Sequence, residues 1–233
     1  MCAMHFERVL LMKLMFNRNY QSALPQKIFI ILCLFATIFY SFWLQFFNSE
    51  VAQIKGDFFR IILLYVFSIT YTLRLIFTLF VFLKRKIPWW ESLAGVFLSI
   101  ILYYFIQIGS TNSNPINVLD FFGILIYLLG SYLNTRSEYG RYKFKRIPNN
   151  KGHIFDKGLF KYARHINYFG DVLLFTGFAL VSQNVISLII PFFMGLNFVF
   201  ILIPAKESYL KEKYGEEFEM YRKHSKKLIP LIY

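Results

Sequence analysis

Six apolar runs of near-bilayer length fill most of the sequence between Ile28 and Pro204, and they limit the chain to a few architectures. In hydrocarbon every backbone N–H and C=O needs an internal partner, so a spanning segment is a helix or part of a closed barrel. About 20 residues cross a core of ~30 Å as a helix. The runs are Ile28 to Phe47, Phe59 to Leu83, Leu93 to Ile108, Val118 to Leu133, Tyr168 to Ser182 and Val185 to Pro204. They predict an all-α polytopic integral membrane protein of about six transmembrane helices. The last two runs meet at Gln183-Asn184, which leaves room only for a tight helical hairpin.

The distribution of charge predicts the topology. The formal net charge is +13, but the basic residues flank the apolar runs, whereas a nucleic-acid footprint needs a soluble basic face. With the N-terminus inside, all but Lys55, Arg60 and Arg74 of the 26 Lys and Arg fall on the cytoplasmic side or in its loops. An even number of spans with both termini cytoplasmic is therefore the arrangement that obeys the positive-inside rule. The opening segment MCAMHFERVLLMKLMF lacks a small-residue cleavage site, so the first span is expected to stay as an anchor. Short loops and the lack of a eukaryotic retrieval signal point to a bacterial inner membrane. The expected organisation is a cytoplasmic arm (1–27), a four-helix membrane region (28–133), and a region (134–233) of cytoplasmic loop, helical hairpin and amphipathic C-terminal helix. Gly215 interrupts that last helix.

Several chemistries have no support. Cys2 and Cys33 make neither a disulfide framework nor zinc-ligand spacing, and the four histidines are scattered. No Rossmann glycine pattern, Walker loop, nucleophile elbow or H-E-x-x-H occurs. A nucleotide would have to bind between helices.

Polar residues at membrane depth carry the functional signal. GLFKYARHINYFGD, from Gly158 to Asp171, sets Arg164, His165, Asn167, Tyr168 and Asp171 at the mouth of an apolar helix. Spacings of three and four would gather Arg164 with Tyr168, and Asn167 and Tyr168 with Asp171, on one face. A headgroup anchor would explain the arginine and the tyrosine, but not the aspartate one turn deeper. Arg74 lies within an apolar span and needs an interior partner, either an acid such as Asp120 or Asp171 or a ligand. The run Arg136, Arg141, Lys143, Lys145 and Arg146 can hold nucleotide phosphates or touch anionic lipid. Glu207 stands below the last span, where a lone glutamate is ordinarily solvated.

At these residues the second half of the chain resembles a membrane superfamily of steroid 5-alpha-reductases, sterol C14 and C7 reductases, isoprenylcysteine carboxyl methyltransferases and phospholipid methyltransferases. Within it the chain is most similar to the bacterial family DUF1295. GLFKYARHINYFGD resembles G-L-W-x-Y-x-R-H-P-N-Y-x-G-[DE], and ESYLKEKYGEEFEMYRKHSKKLIPLIY resembles E-x-x-L-x-x-x-Y-G-x-x-[FWY]-x-x-Y with a terminal I-P. Leu73-Arg74-Leu75 also looks like that family's L-R-L. Ile166 replaces the usual proline, Gly140 a glutamine, and Ala205-Lys206 an Arg-Asp pair.

The resemblance implies a cofactor pocket in the C-terminal half, for NADPH in reductases or S-adenosylmethionine in methyltransferases. Asp171 after Asn-Tyr-x-Gly favours the reductase branch. The implied activity is NADPH-dependent reduction of a carbon–carbon double bond in a lipophilic, steroid-like, isoprenoid or enone substrate, with an S-adenosylmethionine-dependent methyltransferase as the alternative. Implied cofactor-binding residues are Arg141, Lys145, Arg164, His165, Asn167, Tyr168, Asp171 and Glu207, with Arg74 on the substrate. Tyr71, Tyr103 and Tyr104 are candidate proton donors. Membrane lipid is the expected partner besides the substrate.

Overall fold

The computed structural model describes residues 23–48, 56–85 and 87–233. The N-terminal arm up to residue 22, with Cys2, and also Lys55 and Lys86, lie outside these residues. The chain is an all-α polytopic membrane protein, with no strand among the described residues. Five helical stretches are long and apolar enough to cross a bilayer: Leu24–Phe46, Phe58–Phe82, Trp89–Ser110, Val118–Arg146 and Val185–Tyr214. A sixth apolar helix, Ile166–Ser182, is 17 residues long.

Local chemistry sets the ends of these helices. Helix α1 (Leu24–Phe46) opens with a proline in its first turn, where the missing N–H has no partner to lose. Asp57 caps α2 (Phe58–Phe77), its carboxylate accepting from Arg60 N at 3.1 Å, and a π-turn, Thr78–Phe82, continues the helix. After α3 (Trp89–Ser110), α4 (Val118–Arg146) runs beyond the expected membrane exit at Leu133 and stops just before Pro148. Helix α5 (Ile166–Ser182) ends at Gln183, whose φ of 50° turns the chain, and Asn184 Oδ1 then accepts from Ile186 N. A 3₁₀ turn leads into α6 (Ile189–Asn197), a π-turn (Phe198–Leu202) and α7 (Ile203–Tyr214). Gly215, at φ 52°, breaks α7 from α8 (Glu216–His224), as the tail pattern predicts.

The chain divides into two compact units, and α4 and α5 contribute to both. The first comprises, among the described residues, those within 23–129 and Leu173–Pro191. Its core is aromatic: Phe67 stacks on Tyr127 at 3.8 Å, Phe178 meets Phe67 edge-on at 5.4 Å, and Tyr127 Oη donates to Phe67 O. A methyl on Gly177 would stand 2.7 Å from Gly123 O, so two glycines let α4 and α5 touch.

One buried ion pair in this unit departs from the sequence expectation. Asp120, considered as a partner for Arg74, is bound by Arg60 through two hydrogen bonds of 3.0 Å, and the two side chains are 0% and 1% exposed. Arg60 also donates to the carbonyls of Asn112, Asn114 and Pro115, while Gln183 Nε2 and Asn117 N donate to Asp120. Every bond that a buried charge pair needs is made, which offsets its desolvation. Asp120 has the nearer cation because Arg60 starts α2 and Asp120 starts α4.

The second unit contains Gly130–Val172 and Phe192–Tyr233 among the described residues. Ile154, Phe160, Ala163, Ile166, Phe218 and Tyr221 form its core. Tyr221 Oη donates to Phe160 O at 2.7 Å, and burial raises its phenol above the usual range, so it stays a neutral donor.

Candidate functional site

Two helix faces with matched spacing build the centre of the second unit. Helix α4 carries Asn134, Glu138 and Arg141 at intervals of four and three, and α5 carries Asn167 and Asp171 four apart. The helices run antiparallel here, so the residues meet in order. Asn134 Nδ2 donates to Asp171 Oδ1 at 2.9 Å and to Asn167 O at 3.1 Å. One rung further along, Asn167 Nδ2 donates to Glu138 Oε1 at 3.0 Å, and the other Glu138 oxygen pairs with Arg141. This close approach depends on Gly170, where a methyl would lie 2.7 Å from Gly130 O and 2.8 Å from Asn134 N.

Arg164 precedes this ladder. Helix α5 begins at Ile166, so the expected helical pairing of Arg164 with Tyr168 gives way to a turn held by the C-terminal tail. Arg164 N donates to Lys226 O at 2.9 Å, His165 N donates to Lys227 O at 3.1 Å, and Lys226 N donates to Tyr162 O at 3.2 Å. The guanidinium reaches Glu207 through Nε at 2.9 Å, Arg222 O at 3.2 Å, and both the carbonyl and hydroxyl of Ser225. Glu207 is thus an ion-pair partner and not a solvated helix charge.

His165 is 3% exposed. Its Nε2 lies 3.5 Å from Glu207 Oε1, close enough to feel the charge but without the alignment of a hydrogen bond, and this nitrogen has no hydrogen-bond partner. Burial lowers its pKa and the Glu207 carboxylate opposes that shift, so the ring is neutral at physiological pH. The imidazole stacks on Tyr168 at 5.5 Å, and Tyr168 stacks on Phe198 at 4.7 Å.

The remaining candidates lie earlier in the chain. Arg141 pairs with Glu138 and stands over the Phe160 ring at 5.7 Å, and Lys145 is exposed at the end of α4. Arg74 belongs to the first unit, its guanidinium 5.2 Å from the Tyr71 ring centroid. Sequence reasoning missed Asn134 and Glu138, although their i, i+4 spacing repeats that of Asn167 and Asp171.

Arg141, Lys143, Lys145 and Arg146 at the end of α4 suit phosphate oxygens, and the buried His165 Nε2 has a hydrogen bond to spare. This donor set fits an anionic dinucleotide.

Comparison with known proteins returns the family described as "Protein of unknown function (DUF1295)" over residues 82–226, more than half of the chain. Human 3-oxo-5-alpha-steroid 4-dehydrogenase 1 is 32% identical over 112 residues, 48% of this chain and 41% of that protein. Probable 7-dehydrocholesterol reductase of Acanthamoeba polyphaga mimivirus is 29% identical over 153 residues, 56% of this chain and 34% of that protein. Probable O-methyltransferase ustE of Ustilaginoidea virens is 31% identical over 106 residues, 45% of this chain and 36% of that protein. The chain spans less than half the length of each of these relatives.

Proposed function

This chain belongs to the DUF1295 family, and from its similarity to a steroid dehydrogenase and a probable sterol reductase we propose that it is a membrane reductase that uses NADPH to saturate a carbon–carbon double bond in a lipophilic, steroid-like substrate. One observation carries the reading. The two signature stretches, some 40 residues apart in sequence, meet through Arg164 and Glu207 at 2.9 Å beside a hydrogen-bonded ladder of Asn134, Glu138, Asn167 and Asp171.

Bound NADPH would supply the hydride. Arg141 and Lys145 take the phosphates, the first as a planar fork and the second as a point charge. Asn167, Tyr168 and Asp171 would line the cofactor face of α5, with Asn167 and Asp171 held by Glu138 and Asn134 and Tyr168 held by its stacking on His165 and Phe198. His165 offers Nε2 to a cofactor oxygen or nitrogen. Arg164 and Glu207 act on the cofactor by holding α7, α8 and the signature turn in one frame. Arg74 is assigned to a substrate oxygen, and a tyrosine from among Tyr71, Tyr103 and Tyr104 supplies the proton. Both termini face the cytoplasm, and the host membrane is a bacterial inner membrane.

The similarity to a probable O-methyltransferase favours a second reading, methyl transfer from S-adenosylmethionine to a lipid carboxylate or amine. Purified protein incubated with deuteride-labelled NADPH and a steroid enone separates the two. The proposal expects a saturated product one deuterium heavier. Methylated lipid from labelled S-adenosylmethionine, with no reduction, would replace it with the second reading.

A further inference from the structure

From Leu188 to Ala205 every residue but one has an apolar side chain or none, and the exception is Asn197. Asn197 ends α6, is exposed, and its side chain makes no hydrogen bond among the described residues. Nine residues separate it from Lys206, about 13 Å along a helix, which puts it near mid-depth of a core of ~30 Å. Phe193 and Phe200, four residues before and three after, are 60% and 67% exposed, so Asn197 shares their outward face. Phe198 instead turns toward Tyr168 at 4.7 Å. The stretch Val185–Tyr214 is also the least enclosed of the five spans, with 17% of its most apolar window buried against 28% to 44% in the others.

An amide facing lipid lacks the partners that it would find in water, and polar side chains within spans are usually paired. Asn carries both a donor and an acceptor, so two copies related by a twofold axis satisfy each other, residue against identical residue. We propose that the Phe193–Asn197–Phe200 face is a homodimer contact in which Asn197 of a second copy of this chain bonds Asn197 of the first. Interhelical amide bonds of this kind drive association in membranes, where apolar surface alone gives no preference for protein over lipid.

The test is single-molecule photobleaching of labelled protein in phospholipid vesicles over a range of protein-to-lipid ratios. Wild type is expected to pass from monomer to dimer, and Asn197→Leu to need about a tenfold higher ratio, the equivalent of ~1.4 kcal/mol. Leucine keeps the face apolar, so the thermal unfolding of the detergent-solubilised variant should match wild type. Wild type that stays monomeric at every ratio overturns the proposal. So does an Asn197→Leu protein that associates as tightly as wild type, which would leave the amide to a lipid-soluble ligand.

Discussion

Glu207 Oε1 lies 2.9 Å from both Nε and Nη2 of Arg164, and the two side chains are only 17% and 5% exposed. The same guanidinium bonds Arg222 O and Ser225, so one side chain ties α7, the end of α8 and the signature turn together. Removing one partner of a buried pair strands the other charge and costs about 3–5 kcal/mol. Arg164→Met is expected to lose at least ~3 kcal/mol by denaturant unfolding in detergent, because it also strands two carbonyls. A double-mutant cycle with Glu207→Gln should return a coupling of more than ~0.5 kcal/mol. Additive effects would mean that the two side chains do not support each other.

Gly170 and Gly195 should respond in opposite directions to the same change. Gly170→Ala drives a methyl into backbone atoms of α4 and should destabilise by ~3 kcal/mol or more, the upper end of overpacking costs. Gly195→Ala meets nothing nearer than Val172 at 3.9 Å and should be neutral or stabilising by up to ~1 kcal/mol, since alanine suits a helix better. Melting temperatures of the two variants check the helix contact directly.

His165 predicts acid sensitivity. Its folded pKa is lowered from 6.5 mainly by burial, so below 6.5 the unfolded chain binds more protons than the folded one. Stability contributed by the neutral ring is present above pH 6.5 and is lost as the pH falls through that value toward the folded pKa. His165→Phe keeps a ring against Tyr168 and removes the titration. Unfolding temperatures measured between pH 7.5 and about 5 should fall less in this variant than in wild type. Parallel curves would assign the acid sensitivity to other groups.

Arg141 and Lys145 should separate binding from stability. Lys145 is exposed, so Lys145→Gln should lower NADPH affinity about tenfold, lose part of its salt dependence, and leave the unfolding temperature unchanged. Arg141→Gln should lower both affinity and stability, because Glu138, 8% exposed, loses its charge partner. Fluorescence titration and thermal unfolding of the same samples check both.

The membrane helices are legible because their signal is local: five of the six runs become helices of spanning length, the run from Tyr168 becomes a 17-residue apolar helix, and Gln183-Asn184 marks the hairpin. Gly215 likewise reads as a helix break in sequence and serves as one at φ 52°. The ion pairs were not legible, because a pairing depends on which helices pack. Arg60 and Asp120 are 60 residues apart, and only the packing makes Arg60, and not Arg74, the partner of Asp120. Spacing alone puts Arg164 on a helix face, but α5 starts only at Ile166. The tail carbonyls of Lys226 and Lys227 that hold it in a turn carry no side-chain signature. Asn134 and Glu138 could have been found by matching the spacing of α4 against that of Asn167 and Asp171. Without knowing that α4 and α5 run side by side, that spacing reads as an ordinary polar helix end.

Whether the second unit grips a dinucleotide is read from equilibrium titration of the purified 233-residue chain with NADPH, followed by the change in cofactor fluorescence. Saturable binding is expected, with Lys145→Gln weakening it about tenfold and S-adenosylmethionine failing to compete. Saturable binding of S-adenosylmethionine with none of NADPH, or binding of neither by folded protein, would contradict it.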